Sequence, residues 1–332
     1  MNAYLPNHFG EALISLSVLP IVLMLGYLLT QVVNITLARI LSWLLVIAGT
    51  SGIDWSTASQ PPGFRMLLII AVLLYTMKVV VAVEVRPTGR ANLNFLQWIS
   101  FAAFWVGMRP ALFADLPRHS RDQVQSYLGR GLRNIGSGLA LVILSRVYWS
   151  VTQDGANTVR LFVTTTLLLP GLSLIVHFGA FHLLTAFWRQ QGVECVSVFR
   201  EPLKSNSLNE FWGKRWNLAF SEMTTLAIFR PMRRRTGQLP AMLTAFLFSG
   251  LLHELAISAP VRSGFGGPML YFLLHGLAML LESRWTTLAN AFATHHWLGR
   301  LWTMTWLLLP LPMLFHQPFL RGCVWPLIGI TL

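Results

Sequence analysis

Long apolar stretches, separated by short polar loops, recur along the whole of this 332-residue sequence. A helix that crosses a bilayer needs about 20 mostly apolar residues, and successive stretches approach that length. Hydrophobic residues make up 54% of the chain and charged residues 11%, whereas soluble domains carry about 25% charged residues. The sequence therefore predicts an all-α fold, a polytopic transmembrane helix bundle of about eight or nine spans with interfacial amphipathic helices.

The predicted spans differ in how regular they are. Pro170 and Gly171 interrupt the sixth stretch and predict either a kink or two short helical pieces there. Arg109 and Pro110 lie within the fourth, which is predicted either to cross the bilayer or to lie at its surface. In chain order the stretches are Leu13–Leu29, Val32–Ala48, Met66–Val83, Phe95–Ala114, Ile135–Ser150, Leu161–Phe187, Leu239–Ser258, Phe265–Leu281 and Leu301–Phe315.

The net charge of +13 has a topological interpretation. Basic side chains concentrate in loops on one side of the predicted bundle, as cytoplasmic loops do. We therefore expect membrane lipids, and not nucleic acid, to meet this charge. The prediction is an integral, multi-pass protein of a bacterial inner membrane or the endoplasmic reticulum, with residues 1–332 forming a single transmembrane domain.

The longest polar interruption runs from Trp188 to Gln238 and is rich in both aromatic and basic residues. A disordered linker would contain few aromatic residues. The mixture is typical of short amphipathic helices at the headgroup level, where aromatic rings and basic side chains both find suitable surroundings. This segment is predicted to lie along the membrane surface.

His253 and Glu254 stand side by side in the apolar stretch LPAMLTAFLFSGLLHELAIS. Ionisable groups inside a membrane are rare, and by default they indicate function. A neutral imidazole can accept a proton at working pH, so His253 is a candidate general base. Adjacent helical residues point about 100° apart, so Glu254 is expected to pair with another helix. The alternative is a structural histidine bonded to a backbone carbonyl.

A second polar cluster, FWGKRWN, precedes this stretch. At helical spacing Trp212 and Trp216 would share a face with Arg215 nearby. Asn217 offers a donor and an acceptor that can orient a carbonyl or an imidazole. The alternative interpretation is an aromatic belt with basic side chains that reach the headgroups.

Together, FWGKRWN, the later FRP step and SGLLHELAIS resemble the wax synthase branch of the membrane-bound O-acyltransferase family, over residues 211–258. The resemblance implies a helix bundle around a tunnel that acyl-coenzyme A enters from the cytoplasm. It implies that His253 is the catalytic histidine and Asn217 the upstream polar residue of the site. Lys214 stands where the family often has arginine, which preserves the charge.

The expected reaction transfers an acyl group from acyl-CoA, a co-substrate, to a hydroxyl acceptor such as a long-chain alcohol. The catalytic residues would be His253, Asn217 and Glu254, with Glu254 holding a tautomer or a helix in place. The substrate-binding residues would be Trp212, Arg215 and Trp216, which would receive the head of the coenzyme.

No bound cofactor and no metal are expected. Ile257 occupies the position of the second histidine of an HExxH zinc site, so His253 does not belong to one. His177 and His182 lie about 140° apart around a helix, which makes a poor chelate.

Two alternatives remain open at this point. The acceptor of an acetyl or acyl group could be a polar metabolite or a glycan. A protein of another class, a proton-coupled transporter, could use His253 and Glu254 as a proton relay. Such a transporter would show broken helices at matching positions in two halves, whereas the sequence has a single Pro/Gly break, at Pro170.

Overall fold

The structure is a computed structural model that describes residues 3–89, 92–114, 122–152, 157–285, 292 and 294–331. These residues form helices and connecting loops and include no strand, which confirms the all-α prediction. The main helices are α1 (Phe9–Gln31), α2 (Ile35–Ser56), α3 (Pro62–Val85), α4 (Phe95–Phe104), α5 (Val124–Val151), α6 (Asn157–Ile175), α7 (Phe181–Gln190), α8 (Leu218–Thr224), α9 (Arg230–Thr236), α10 (Gln238–His253), α11 (Gly267–Arg284) and α12 (His296–Leu308).

Within the described part, five helical segments are long and apolar enough to cross a membrane. They coincide with the first, second, third, sixth and seventh predicted stretches, so the chain is an integral, multi-pass membrane protein. The five are Phe9–Gln31, Ile35–Ser56, Pro62–Val85, Asn157–Gln190 and Gln238–Val261.

Other predicted spans give a less simple result. A pair of helices, His296–Leu314 and Gln317–Ile328, meets the same criteria together but bends by 69° at its break, which would bring the number to six. The fourth stretch contains a helix of only 10 residues, α4. Neither α5 nor α11 is among the five. The number of eight or nine spans, like the interfacial helices, stays a prediction.

Contacts between residues divide the chain into two compact units. The first contains residues 1–114, 200–327 and 331–332, and the second contains residues 115–199 and 328–330. All the candidate site residues lie in the first unit. The single domain expected from the sequence stays a prediction.

In the second unit, α5 and α6 approach closely through glycines. A Cβ on Gly138 would lie 2.6 Å from the carbonyl oxygen of Gly171, so a larger residue there would push the helices apart. The predicted irregularity of the sixth stretch takes a different form. α6 continues through Pro170 to Ile175, and a π-helical turn follows at Val176–Ala180.

In the first unit, a buried lysine holds the chain that follows α4. The side chain of Lys78, on α3, is fully buried, and its Nζ donates to the carbonyl oxygens of Phe101 at 2.7 Å and Gly107 at 2.9 Å. A cation beside the last carbonyls of a helix stabilises that helix end. These bonds position the loop that begins at Trp105 and leads to Arg109.

Candidate active site

His253 is the last residue of α10, and a π-helical turn, Glu254–Ser258, follows it directly. Its Nδ1 lies 2.7 Å from the carbonyl oxygen of Ser249. A carbonyl oxygen can only accept, so this distance places the ring proton on Nδ1. The lone pair of Nε2 is then free to take a proton, which is the tautomer that a general base needs. His253 therefore has the backbone hydrogen bond that the structural alternative predicted, and it also has a free Nε2 that can act as a base.

Two aromatic rings flank the imidazole of His253. The ring of Phe272, on α11, lies 4.3 Å from it between centroids, and the ring of Phe220, on α8, lies 5.5 Å from it. The histidine itself is half-buried. Apolar walls of this kind exclude water and strengthen electrostatic interactions with a reacting group.

Asn217 is the N-cap of α8. Its Oδ1 accepts a hydrogen bond from the N–H of Phe220 at 3.3 Å, and its backbone is left-handed, with φ +40° and ψ +63°. Asparagine tolerates this conformation better than most residues. Because Oδ1 is taken by the cap, the amide Nδ2 is the group left to donate to a ligand. Asn217 therefore supports the helix that brings Phe220 to His253, whatever else its amide does.

Glu254 pairs with another helix, as its position beside His253 suggested. Its Oε1 accepts from the backbone N–H groups of Gly266 at 2.7 Å and Met269 at 3.1 Å. These two donors belong to the N-terminal end of α11, where a carboxylate is stabilising. Glu254 thus holds the helix that carries Phe272, while the tautomer of His253 is held by Ser249.

Trp212 and Trp216 pack around Phe211 and do not share a helical face. Residues Phe211–Arg215 form a π-helical turn, and Trp216 is extended, with φ −101° and ψ 126°. Trp212 meets Phe211 edge-on at 5.0 Å, and Trp216 stacks on it at 5.4 Å. Trp212 also lies 5.5 Å from Phe272, the ring that covers His253. In these contacts both indoles pack against aromatic rings, as side chains with a structural role do.

The guanidinium of Arg215 is occupied by protein groups. Its Nη2 lies 2.7 Å from Oε1 of Glu210, to which its Nε also donates at 2.8 Å. Its Nη1 donates to the carbonyl oxygens of Arg200 at 3.3 Å and Glu201 at 3.4 Å. These bonds tie the FWGKRWN turn to the preceding loop. Donor binding by Arg215 stays a prediction, and its contacts favour a structural role.

The ionisation of Glu210 reflects this pairing. Burial raises the pKa of its carboxyl, but the backbone N–H of Asn206 and the guanidinium of Arg215 hold the charged form more strongly. The net result is a pKa below the ordinary value.

A basic cleft of about 710 Å³ opens beside the FWGKRWN turn. This volume lies within the range of about 300–1,000 Å³ that is usual for ligand pockets. Its charged lining comprises four basic residues and one acidic residue: Arg109, Arg200, Lys214, Arg230 and Glu222. Because basic side chains are in excess, the cleft is suited to an anionic ligand.

In the described part, no group of three histidine, cysteine or acidic side chains is placed to hold a metal ion.

Only some residues of this cleft have a recognisable signal in the sequence. Lys214 and Arg230 lie in the motifs that carry the resemblance, and Arg109 stands out only because it interrupts an apolar stretch. Nothing in the pattern singles out Arg200. The members come from distant parts of the chain, so only the fold brings them together.

The short helix α8 lies between the cleft and His253. Leu218, Ser221 and Glu222 line the cleft, and at about 100° per residue they share one helical face. Phe220 points from the opposite face toward His253. Glu222 also joins Nη2 of Arg109 at 2.5 Å, which anchors α8 to the loop after α4.

The segment that contains both polar clusters matches a known family. Residues 195–274 match the model of the membrane bound O-acyl transferase family. The chain is also 35% identical, over 100 residues, to the long-chain-alcohol O-fatty-acyltransferase of Simmondsia chinensis. The predicted family resemblance is confirmed. His253, Asn217 and the basic turn between Phe211 and Arg215 all lie inside the part that matches the O-acyltransferase model.

Two similar proteins of Arabidopsis thaliana extend this O-acyltransferase likeness. The chain is 36% identical over 100 residues to probable long-chain-alcohol O-fatty-acyltransferase 2, and 30% identical over 139 residues to probable long-chain-alcohol O-fatty-acyltransferase 6. The alignments cover 27%, 27% and 37% of this chain for the three relatives in turn. The chain spans 28%, 29% and 40% of the length of those relatives.

Proposed function

We propose that the protein is a membrane O-acyltransferase that moves a fatty acyl group from acyl-CoA to the hydroxyl of a long-chain alcohol. The observation that carries the proposal is the state of His253: Nδ1 is bonded to a carbonyl oxygen and Nε2 is left as an acceptor. This arrangement lies within the segment that matches the acyltransferase family. The long-chain alcohol is the acceptor that the names of the similar proteins from Simmondsia chinensis and Arabidopsis thaliana specify.

The reaction requires one proton acceptor and one stabilised oxyanion. Nε2 of His253 takes the hydroxyl proton as the alcohol oxygen forms a bond to the thioester carbonyl carbon. Nδ2 of Asn217 donates to the carbonyl oxygen as it gains negative charge. The C–S bond then breaks, and the proton passes from Nε2 to the departing thiolate, which leaves as the coenzyme A thiol. No bound cofactor takes part.

The basic cleft offers a place for the head of the donor. A coenzyme A head is strongly anionic, and four basic side chains outnumber the one carboxylate in the lining. Lys214 and Arg215 both belong to the π-helical turn of the motif. The side chain of Lys214 is exposed, whereas that of Arg215 is paired with Glu210. We therefore assign donor binding to the cleft and to Lys214.

The test uses purified full-length protein in detergent with palmitoyl-CoA and hexadecanol. Release of coenzyme A thiol and formation of the wax ester are measured together, the ester by mass spectrometry. His253→Ala should lower kcat by at least roughly a hundredfold, the usual contribution of a general base. The matched control is His8→Ala, because His8 is an exposed histidine at the start of α1.

Several outcomes would decide against the proposal. Turnover by His253→Ala equal to that of the His8→Ala control would remove the assigned base. Thiol release with a polar alcohol or a glycan, but not with hexadecanol, would favour the alternative acceptors. A wild-type protein that forms no ester with any acceptor, yet carries protons across vesicles, would support a transporter.

A further inference from the structure

α9, with the sequence RPMRRRT, carries a dense basic surface. Arg230, Arg233, Arg234 and Arg235 are all exposed, and Met232 is the partly buried residue of the helix. The seven residues of α9 include no acidic side chain. In the described part of the chain, the side chains of these arginines make no hydrogen bond or ion pair with protein groups.

The position of α9 places this charge at the end of a candidate membrane span. Gly237, with φ +85°, ends α9, and the apolar segment Gln238–Val261 begins at the next residue. α9 also packs against α10, which starts that segment. If this segment crosses a bilayer, its end lies at the level of the lipid headgroups, which puts the arginines of α9 within reach of the phosphates.

We propose that α9 binds the headgroups of anionic phospholipids. A guanidinium can bind two oxygens of one phosphate at the same time, and basic residues near an anionic leaflet are attracted to it. The general preference for positive loops accounts for the sign of this charge. It does not require that four cations be crowded on one short helix without an acidic neighbour.

One arginine of α9 has a second assignment. Arg230 also lines the basic cleft, so a test of lipid binding must leave it in place. Arg233, Arg234 and Arg235 are outside the cleft lining. Their substitution therefore separates lipid binding from donor binding.

The experiment measures the unfolding temperature of the purified full chain in a neutral detergent. Phosphatidylglycerol should raise it for the wild type, and phosphatidylcholine should not. The triple variant Arg233→Gln, Arg234→Gln, Arg235→Gln should lose this shift, with an affinity for phosphatidylglycerol at least about tenfold weaker. The matched variant with lysine at the same three positions should keep most of it, because the charge is preserved.

A parallel titration with coenzyme A keeps the two proposals apart. The glutamine variant should retain any stabilisation by coenzyme A, whereas Lys214→Ala should reduce that stabilisation and keep the phosphatidylglycerol shift. Because the readout is stability, a failure of acyl transfer would leave the lipid proposal standing. If the glutamine variant lost coenzyme A binding and kept phosphatidylglycerol binding, the lipid proposal would be overturned, because α9 would then bind the acyl donor.

Three further results would overturn the lipid assignment: no phosphatidylglycerol shift in the wild type, an undiminished shift in the glutamine variant, or an equal shift from inorganic phosphate. If the glutamine variant does not fold, the wild type at about 1 M salt is the test, because the Debye length there is only about 3 Å. The phosphatidylglycerol shift should then vanish, and its persistence would contradict binding through charge.

Discussion

Phe220 lies with its ring 5.5 Å from the imidazole of His253. Phe220 is also the residue whose N–H is bound by the side chain of Asn217. The two polar clusters, separated by more than a helix in the sequence, are thus joined through one aromatic side chain. A substitution of Asn217 that disturbs α8 would also move Phe220 and so affect His253. Substitutions must therefore distinguish the capping role of Asn217 from a direct chemical role.

Three substitutions of Asn217 separate these roles. Asn217→Asp keeps the capping oxygen and tolerates the left-handed backbone, but it removes the Nδ2 donor. We expect kcat to fall by about a hundred- to a thousandfold, the usual result of losing an oxyanion donor, with little change in unfolding temperature. Asn217→Ala should also lower stability, because the cap is lost and alanine at positive φ is strained by about 1–2 kcal/mol.

Asn217→Gly is the control for the backbone, because glycine accepts the left-handed conformation. Its unfolding temperature should stay close to that of the wild type, since glycine replaces a good N-cap at a loss of only a few tenths of a kcal/mol. Its kcat should be as low as that of the aspartate variant. A wild-type kcat in Asn217→Asp would show that the residue acts only as a cap.

Lys214 and Arg215 are adjacent, yet their substitution should have different effects. Lys214→Ala removes an exposed cation from the cleft, so the KM for acyl-CoA should rise by about fivefold while the KM for the alcohol stays constant. Arg215→Ala removes the partner of Glu210, so the unfolding temperature should fall and both KM values should stay near wild type.

Lys204→Ala is the matched control for this pair, because Lys204 is exposed and pairs with Glu201 outside the cleft. It should change neither KM. Steady-state kinetics with both substrates, together with thermal unfolding in detergent, check all three variants. A raised acyl-CoA KM in Arg215→Ala, at unchanged stability, would restore the donor-binding role predicted from the sequence.

The lowered pKa of Glu210 predicts an acid-sensitive contribution to stability. The folded-state pKa lies below the ordinary value of 4.5, so the folded state favours the charged form. The stabilisation is therefore complete above pH 4.5 and is lost as the pH falls through the folded-state pKa. Glu210→Gln should be less stable than the wild type at pH 7, and the difference should shrink toward pH 3. Thermal unfolding across this range measures it, and a constant difference would contradict the pairing with Arg215.

Glu254 is expected to act on the site through stability. Glu254→Ala leaves the part-buried N–H groups of Gly266 and Met269 without their acceptor, and the cost approaches the value of about 1–3 kcal/mol that applies to a fully buried group. Glu254→Gln retains an acceptor oxygen and loses only the favourable charge at the start of α11, about 0.3–1 kcal/mol. Unfolding in denaturant should rank alanine well below glutamine, and equal stabilities would contradict the capping role.

The sequence predicted some parts of this site because a residue and its immediate neighbours were enough to indicate them. His253 stands out as an ionisable group in an apolar stretch, and Asn217 belongs to a recognisable motif. The contacts of Arg215 cannot be predicted in this way, because only the fold brings Glu210 and two carbonyl oxygens to its guanidinium.

Two features of the fold have no clear signal in the sequence. The π-helical turns at Phe211–Arg215 and Glu254–Ser258 shift side chains away from the positions that regular helical spacing predicts. The cleft depends on side chains that meet across long sequence separations, such as Arg109 and Glu222. Hydropathy predicted the five helical segments that are long and apolar enough to cross a membrane, because a run of apolar residues needs no tertiary contact to be recognised.

The position of α8 sets a length requirement on the donor. A helix with its side chains is about 10–12 Å across, and α8 lies between the cleft and His253. Under the proposed function, phosphates held in the cleft must be joined to the thioester by an arm long enough to pass this helix. The pantetheine chain of coenzyme A would then act as a molecular ruler. A donor shortened between phosphate and sulfur would occupy the cleft as an inhibitor and leave its carbonyl out of reach of the base.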